Sequence, residues 1–388
     1  MQDRGGLVRF EVSKVLDAIE IRLTTDPALA RAVVDLSEVV RYADLDGGRP
    51  ASLVRLGLLV DALGRYVAEE NVPVYVIAPR GLLSDTDLTS NERMVVRRWA
   101  DDGKVEVVPQ MEDRVLEVAE MLGLPVLTRD REDRFRANRP WVAAPGRLLA
   151  LVSQQGSPTL VARVGRGEAV PPTPRSPLGE RLLSRIWKCP DLNCTTFGSG
   201  GQSDSPFADM RTFTSPVAQP PPALRAGVPT CPRHGERLKD AGPRPATEVL
   251  SVRIDGVIRK RFTVSEDQPV VVGRAPEGGG VMLGQWLTQD ARKWISRGHV
   301  RLALRAGEII AKDVSTNGTG VRPGGSADDD ERVTLHRDES RVLAADDIIE
   351  LYAGVHVGRA KLWSNGGVVQ PQSVMAEAPT MAIRPVGR

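Results

Sequence analysis

The feature that most constrains this chain is a change of hydrophobic period part-way along it. Up to about residue 165, short aliphatic runs (AVVDL, VPVYVIA, VEVVP, LPVLT) alternate with longer segments of helical period, among them SLVRLGLLVDALGRYVAEE and EDRVLEVAEMLG. Strands that take turns with helices predict a parallel α/β sheet, because parallel neighbours need a crossover between them. From about 248 to 363 the runs are short and alternating (TEVLSVRI, PVVVG, HVRLALRA, EIIAKDV, IIELY) with Gly, Asp and Asn between them, the pattern of an all-β sandwich. One core cannot serve both periods, and 388 residues exceed what one core usually spans. The sequence therefore reads as multidomain: an α/β domain over 1–165, a Pro/Gly-rich linker over 166–180, a small element over 181–245, a β sandwich over 246–364 and a disordered tail over 365–388. Within the small element, 195–230 contains GSGGQSDSP and QPPP, too poor in apolar residues to order itself, and is expected to be a disordered insertion.

Charge excludes little. The 52 basic residues nearly balance the 50 acidic ones, for a net charge of +2, so bulk electrostatics demand neither nucleic acid nor a membrane surface, and a local basic face stays open. No run of about 18 apolar residues appears, and MQDRGGLVRF lacks the apolar centre of a signal peptide. The expectation is a soluble, cytoplasmic protein with no membrane partner.

All three cysteines lie mid-chain, in KCPDLNC (Cys189, Cys194) and TCPRH (Cys231, with His234). Three thiolates and an imidazole in two close pairs suit tetrahedral zinc. A closed four-ligand set implies a structural metal that staples a zinc-ribbon-like element; free thiols beside an incidental His234 are the alternative.

Carboxylates recur where the strands of the α/β domain end. VVDLSEVV places Asp35 at the end of the first strand, Glu112 and Asp113 open the helix after VEVVPQ, and Asp130 closes LPVLTRD with Asp133 nearby. Open α/β sheets hold ligands at these ends. Converging carboxylates would repel unless a hard divalent cation neutralised them, although Asp before a helix is also a common cap. The combination resembles the PIN-like ribonucleases, most closely the NYN branch with regnase-like members: VVDLSEVVR looks like that branch's Asp-x-Ser-x-Val strand end, EDRVLEVAEMLG like its acidic pair with Arg and an apolar helix, and VLTRDREDRFR like its closing strand. Glu38 departs from it, standing where the branch commonly has Asn. The resemblance implies metal-dependent hydrolysis of RNA with Mg²⁺ or Mn²⁺ held by Asp35, Asp113 and Asp130, and with Glu38, Glu112 and Asp133 as additional acidic positions. Arg80, Arg93, Arg97, Arg98, Arg129 and Arg131 would hold the RNA backbone or simply face solvent.

In the β region, VGR (272–274), SRGH (296–299) and STNGT (315–319), followed by ADDIIEL (345–351), resemble the forkhead-associated (FHA) domain in order and spacing. That resemblance implies an eleven-stranded sandwich whose loops bind phosphothreonine peptides. A phosphate near −2 charge is held well by a guanidinium and by short donors fixed on turns, so Arg274, Ser296, Arg297 and Thr316 are the expected phosphate contacts and Asn317 the expected backbone contact. Gly273, His299 and Gly318 would support the loops. The same residue types also serve plain turns. The combined expectation is a phosphothreonine-peptide-binding FHA protein that carries a PIN-like ribonuclease domain and acts in Ser/Thr-kinase-linked regulation; the alternative is a non-catalytic adaptor. Its ligand would be a threonine-phosphorylated partner or its own tail, where EAPTMAIRP presents Thr380.

Overall fold

The computed structural model describes residues 13–46, 48–111, 113–130, 138–154, 157–163, 175–198, 218–278, 280–325 and 331–363. Glu112, Arg131, Asp133, Thr380 and the expected tail 365–388 lie outside them. The described residues form two compact units, one holding 13–66 and 72–244, the other 67–71 and 245–363.

The first unit is built on a six-stranded sheet of β1 (Val33–Asp35), β2 (Tyr75–Pro79), β3 (Val105–Val108), β4 (Val126–Leu127), β5 (Leu148–Gln154) and β6 (Ser157–Ala162), in the order β3-β2-β1-β4-β5-β6. The first five strands run parallel, and β6 closes the edge as the antiparallel arm of a hairpin. Helices α1 (13–20), α2 (Leu36–Val39), α3 (Val54–Val67), α4 (Ser90–Asp101) and α5 (Arg114–Leu122) connect or flank these strands. Two-faced burial explains why the strands read as unbroken aliphatic runs: Val33, Tyr75, Ile77, Val126 and Leu148 pack with Val115, Leu116, Val118, Ala119 and Leu122 of α5. The strand order reverses between β1 and β4, the point where such sheets open a crevice at their carboxyl ends. Asp35 pairs in register with Ile77.

Two boundaries differ from expectation. Helix α6 (Pro177–Leu183), capped by the Ser176 hydroxyl accepting from Gly179 N–H, begins inside the expected linker 166–180. It lies against α5 so closely that a Cβ on Gly179 would sit 2.3 Å from the Met121 carbonyl oxygen, so Gly179 serves packing. Of the expected disordered insertion 195–230, residues 195–198 and 218–230 are ordered. They include a hairpin, β8 (Ala223–Arg225) with β9 (Val228–Thr230), fixed by the cysteine-bearing turns. Strands β7 (Arg185–Lys188) and β10 (Lys239–Pro243) pair antiparallel beside it. This element shares the first unit with the α/β sheet: Met121 of α5 packs with Leu182, Trp187, the three cysteines, Phe197 and Leu238.

The second unit contains two sheets. One has β11 (Thr247–Ile254), β12 (Val257–Ser265), β17 (Thr319–Arg322), β18 (Val333–Leu335), β20 (Ile348–Tyr352) and β21 (Val355–Arg359); the other has β13 (Val270–Gly273), β14 (Val281–Met282), β15 (Val300–Arg305), β16 (Glu308–Asp313) and β19 (Ser340–Leu343). Inward residues of both sheets, such as Val252, Val264, Ile349 and Val357 from the first and Val272, Val300, Leu302 and Ile309 from the second, make one core. A short helix, α7 (Gln289–Trp294), is inserted between β14 and β15.

Candidate functional site

The residues predicted to hold phosphate come together in the second unit, on the turns after β13 and before β15 and on the turn that follows β16. Arg274 N–H donates to Ser296 O at 3.0 Å, and Thr316 N–H donates to Ser296 Oγ at 3.1 Å. Arg274, Arg297, Thr316 and Asn317 are exposed and Ser296 is half-buried. Beneath them His299 is fully buried; it accepts from Ser296 N–H at Nδ1 (3.2 Å) and meets Gly318 O through Nε2 (3.1 Å). One neutral imidazole thereby ties the two loops together. Burial lowers its pKa, against an opposing contribution from the Gly318 carbonyl and Asp313. Asp313, also fully buried, accepts from the hydroxyls of Ser315 (2.8 Å) and Thr319 (2.5 Å), and Ser315 Oγ accepts from Gly318 N–H (2.8 Å). Gly273 is required by close approach, since a Cβ there would lie 2.0 Å from Arg297 O. Gly318, at φ +82°, sits in the left-handed region that favours glycine.

Helix α7 was not anticipated. Its last-turn carbonyls, which have no partners within the helix, accept from two of the predicted contacts: Arg274 Nη1 donates to Arg292 O (3.2 Å) and Asn317 Nδ2 donates to Trp294 O (2.8 Å). The sequence signal was present in TQDARKW, a Thr cap followed by helix formers.

In the first unit the three cysteines and His234 converge, with ligand atoms all within 4.8 Å of one another. The group could bind a metal ion such as zinc. Bond lengths of about 2.3 Å to sulfur and about 2.0–2.1 Å to nitrogen at tetrahedral angles put two sulfurs about 3.8 Å apart and a sulfur and a nitrogen about 3.5–3.6 Å apart. Cys194 and Cys231 are separated by 3.8 Å, and His234 Nδ1 lies 3.6 Å from both Cys189 and Cys231. The thiols constrain one another: donation from Cys231 draws Cys194 down to about 5, while that same bond, with burial, pushes Cys231 up, and burial raises Cys189. A divalent ion would supply the positive charge that lets all three ionise. Asp191 Oδ2, 3.5 Å from His234 Nε2, sets which ring nitrogen faces the sulfurs. Gly198 is forced by the turn, because a Cβ there would lie 2.3 Å from Cys194 O.

The carboxylates of the α/β sheet divide. Asp35 caps α2, its Oδ1 accepting from Ser37 N–H (2.8 Å), Ser37 Oγ (2.6 Å) and Glu38 N–H (3.2 Å), and burial raises its pKa. Glu38 points across the switch point toward β4, accepting from Thr128 Oγ1 (2.7 Å), from Arg129 N–H (2.7 Å) and from the Tyr42 hydroxyl. The Arg129 guanidinium lies 4.0 Å from the Tyr42 ring centroid and donates to Asp44 and Leu151 O. Asp113 accepts from Arg139 at 2.5 Å. Asp130 N–H donates to Thr128 Oγ1 at 3.0 Å. Among the described residues, Asp35, Asp113 and Asp130 do not form a ligand group of the kind the cysteines form. Within this crevice α2 uses Asp35 as its cap and Arg139 pairs with Asp113. Of the expected RNA-binding arginines, Arg98 pairs with Asp17 and Glu20, while Arg93 and Arg97 donate to backbone carbonyls and Arg80 to Arg233 O.

Sequence reasoning also missed a hub. Arg114 is buried and donates to Glu106 (2.6 Å), to Glu117 (2.7 Å) and to the carbonyls of Pro221 (2.6 Å) and Pro222 (3.1 Å), while the Tyr75 hydroxyl donates to Glu106. Glu117 also accepts from Leu224 N–H at 2.7 Å. The α/β sheet thus holds the cysteine-bearing element through α5. A lone carboxylate within the run VEVV was the available signal.

No protein-family model matches the chain, and no curated protein matches it. Among solved structures it is similar to the FHA domain of human APLF in complex with an XRCC1 bisphospho peptide (17% identity, 28% of this chain and 96% of that one, TM-score 0.22). It is similar also to the FHA domain of CT664 from Chlamydia trachomatis (18%, 29% and 97%, 0.22) and to that of an Arabidopsis thaliana protein (21%, 31% and 91%, 0.21). Among the described residues, no helix is long and apolar enough to cross a membrane.

Proposed function

We propose that the second unit binds threonine-phosphorylated peptides and that the protein acts as a phosphothreonine-reading adaptor in Ser/Thr-kinase-linked regulation. The observation that carries this reading is the exposed cluster Arg274, Ser296, Arg297, Thr316 and Asn317, held by the buried His299. Two guanidiniums and short hydroxyl and amide donors on rigid turns match a dianionic phosphate and the backbone beside it. Thr316 N–H leaves the Ser296 hydroxyl hydrogen available for a phosphate oxygen. A threonine-phosphorylated partner protein is the ligand class, with phosphorylated Thr380 of the same chain as a second source. The Cys3His group would hold structural Zn²⁺.

A catalytic reading of the first unit, Mg²⁺- or Mn²⁺-dependent hydrolysis of RNA, is supported by the sheet order and by Asp35 at the switch point. Against it stand the caps and ion pairs that occupy Asp35 and Asp113. The deciding experiment for the main reading is a pulldown from lysate with immobilised full-length protein, comparing wild type with Arg274→Ala before and after phosphatase treatment. Partners retained by wild type alone, and lost on dephosphorylation, support it. Identical partners for both proteins would overturn it.

A further inference from the structure

We infer that helix α7 is a specificity element and that Trp294 reads an apolar side chain flanking the phosphothreonine. The inference rests on the phosphopeptide reading above. Trp294 is 46% exposed although its neighbour Ile295 is fully buried, so the chain anchors through Ile295 and presents the indole outward. Its carbonyl oxygen holds the Asn317 amide at 2.8 Å, and Ser296 follows two residues later. The Trp294 backbone therefore stands beside the proposed phosphate cluster. Tyr352, at the end of β20, lies 6.4 Å from the indole between centroids, tilted by 51°, within the range of a favourable aromatic pair. The two rings form a shelf continuous with the proposed phosphate site.

Local charge selects the occupant. Among the described residues, Arg292 and Lys293 of α7 and Arg274 and Arg297 of the adjoining loops are exposed, and Asp290 of α7 lies 3.5 Å from Lys293. A cationic flanking side chain would be repelled there. A Leu, Ile or Phe side chain would cover the exposed indole with no charge to desolvate. Because α7 also orients Arg274 through Arg292 O, one inserted helix sets both the phosphate contact and the neighbouring preference.

The test uses the full chain and a degenerate peptide library with phosphothreonine at a fixed central position, read by sequencing the retained peptides, with wild type, Trp294→Ala, Trp294→Phe and Arg274→Ala compared. Wild type is expected to enrich an apolar residue at one fixed flanking position. Trp294→Phe should keep that preference, whereas Trp294→Ala should lose it and weaken the enriched peptide about tenfold while still requiring the phosphate. An unchanged preference in Trp294→Ala, or phosphate-dependent binding by wild type with no flanking preference, overturns the inference and leaves phosphopeptide binding standing. No difference between phosphorylated and unphosphorylated libraries with wild type overturns both.

Discussion

His299 makes the loops it ties together, those of Ser296 and Gly318, sensitive to acid. A base whose folded pKa lies below its unfolded value of about 6.5 contributes stability that is complete above that value and is lost as pH falls from there through the depressed folded value. Burial depresses His299 in this way. Thermal unfolding of wild type should therefore fall in midpoint below pH 6.5, and His299→Gln should flatten that part of the pH profile. His356, also lowered by burial beside Glu350, keeps a residual slope in the variant. An equal slope in both proteins would remove His299 from this role. Asp35 carries the opposite sign. Burial raises its pKa, so its contribution is present below the unfolded value of about 3.9 and is lost as pH rises through the folded one. Asp35→Asn keeps a capping oxygen and should raise the unfolding midpoint at pH 7 with no gain near pH 3. A lower midpoint at pH 7 would show that the charged cap outweighs its burial.

At the scale of elements, the sequence was most legible where one residue type has one local use. The strands β1 to β4 and helices α3 and α5 follow from period alone, and the two cysteine turns could be placed without knowing what lay between them. Glu38 shows the limit: its spacing put it next to Asp35, but two of its partners, Thr128 and Arg129, lie 90 and 91 residues on, where no local pattern records them. Hairpin β8–β9 was illegible for the same reason, since its order comes from contacts with α5 and from the cysteine turns. That linkage makes two predictions. Purified protein should carry one zinc per chain by elemental analysis, and Cys194→Ser should abolish it; zinc content unchanged in that variant would place the metal elsewhere. Arg114→Ala should cost about 3–5 kcal/mol in chemical denaturation, because it strands Glu106 and Glu117 and frees the Pro221 and Pro222 carbonyls. The paired replacement Glu106→Leu with Arg114→Met should recover much of that loss, and failure to recover would mean that the carbonyl contacts dominate the hub.

For the whole molecule, the remaining question is whether the first unit does chemistry or serves as a platform for the second. A carboxylate set built for a hard cation keeps its oxygens pointed at one place and draws its stability from the ion. Here Asp35 spends one oxygen on three donors of its own helix start, and Asp113 is matched by Arg139, which also contacts Glu120. Glu38 is satisfied by Thr128, Arg129 and Tyr42 rather than open to an ion. These partners occupy the carboxylates with donors of the chain itself, so the adaptor reading predicts that added Mn²⁺ leaves the thermal midpoint of wild type unchanged. It also predicts that labelled single-stranded RNA incubated with wild type and Mn²⁺ is degraded no faster than with Asp35→Asn combined with Asp130→Asn. Cleavage by wild type alone, together with a Mn²⁺-dependent rise in its midpoint, would show that the cation can displace Arg139 and the α2 cap. The protein would then be a metal-dependent nuclease directed by phosphothreonine rather than an adaptor.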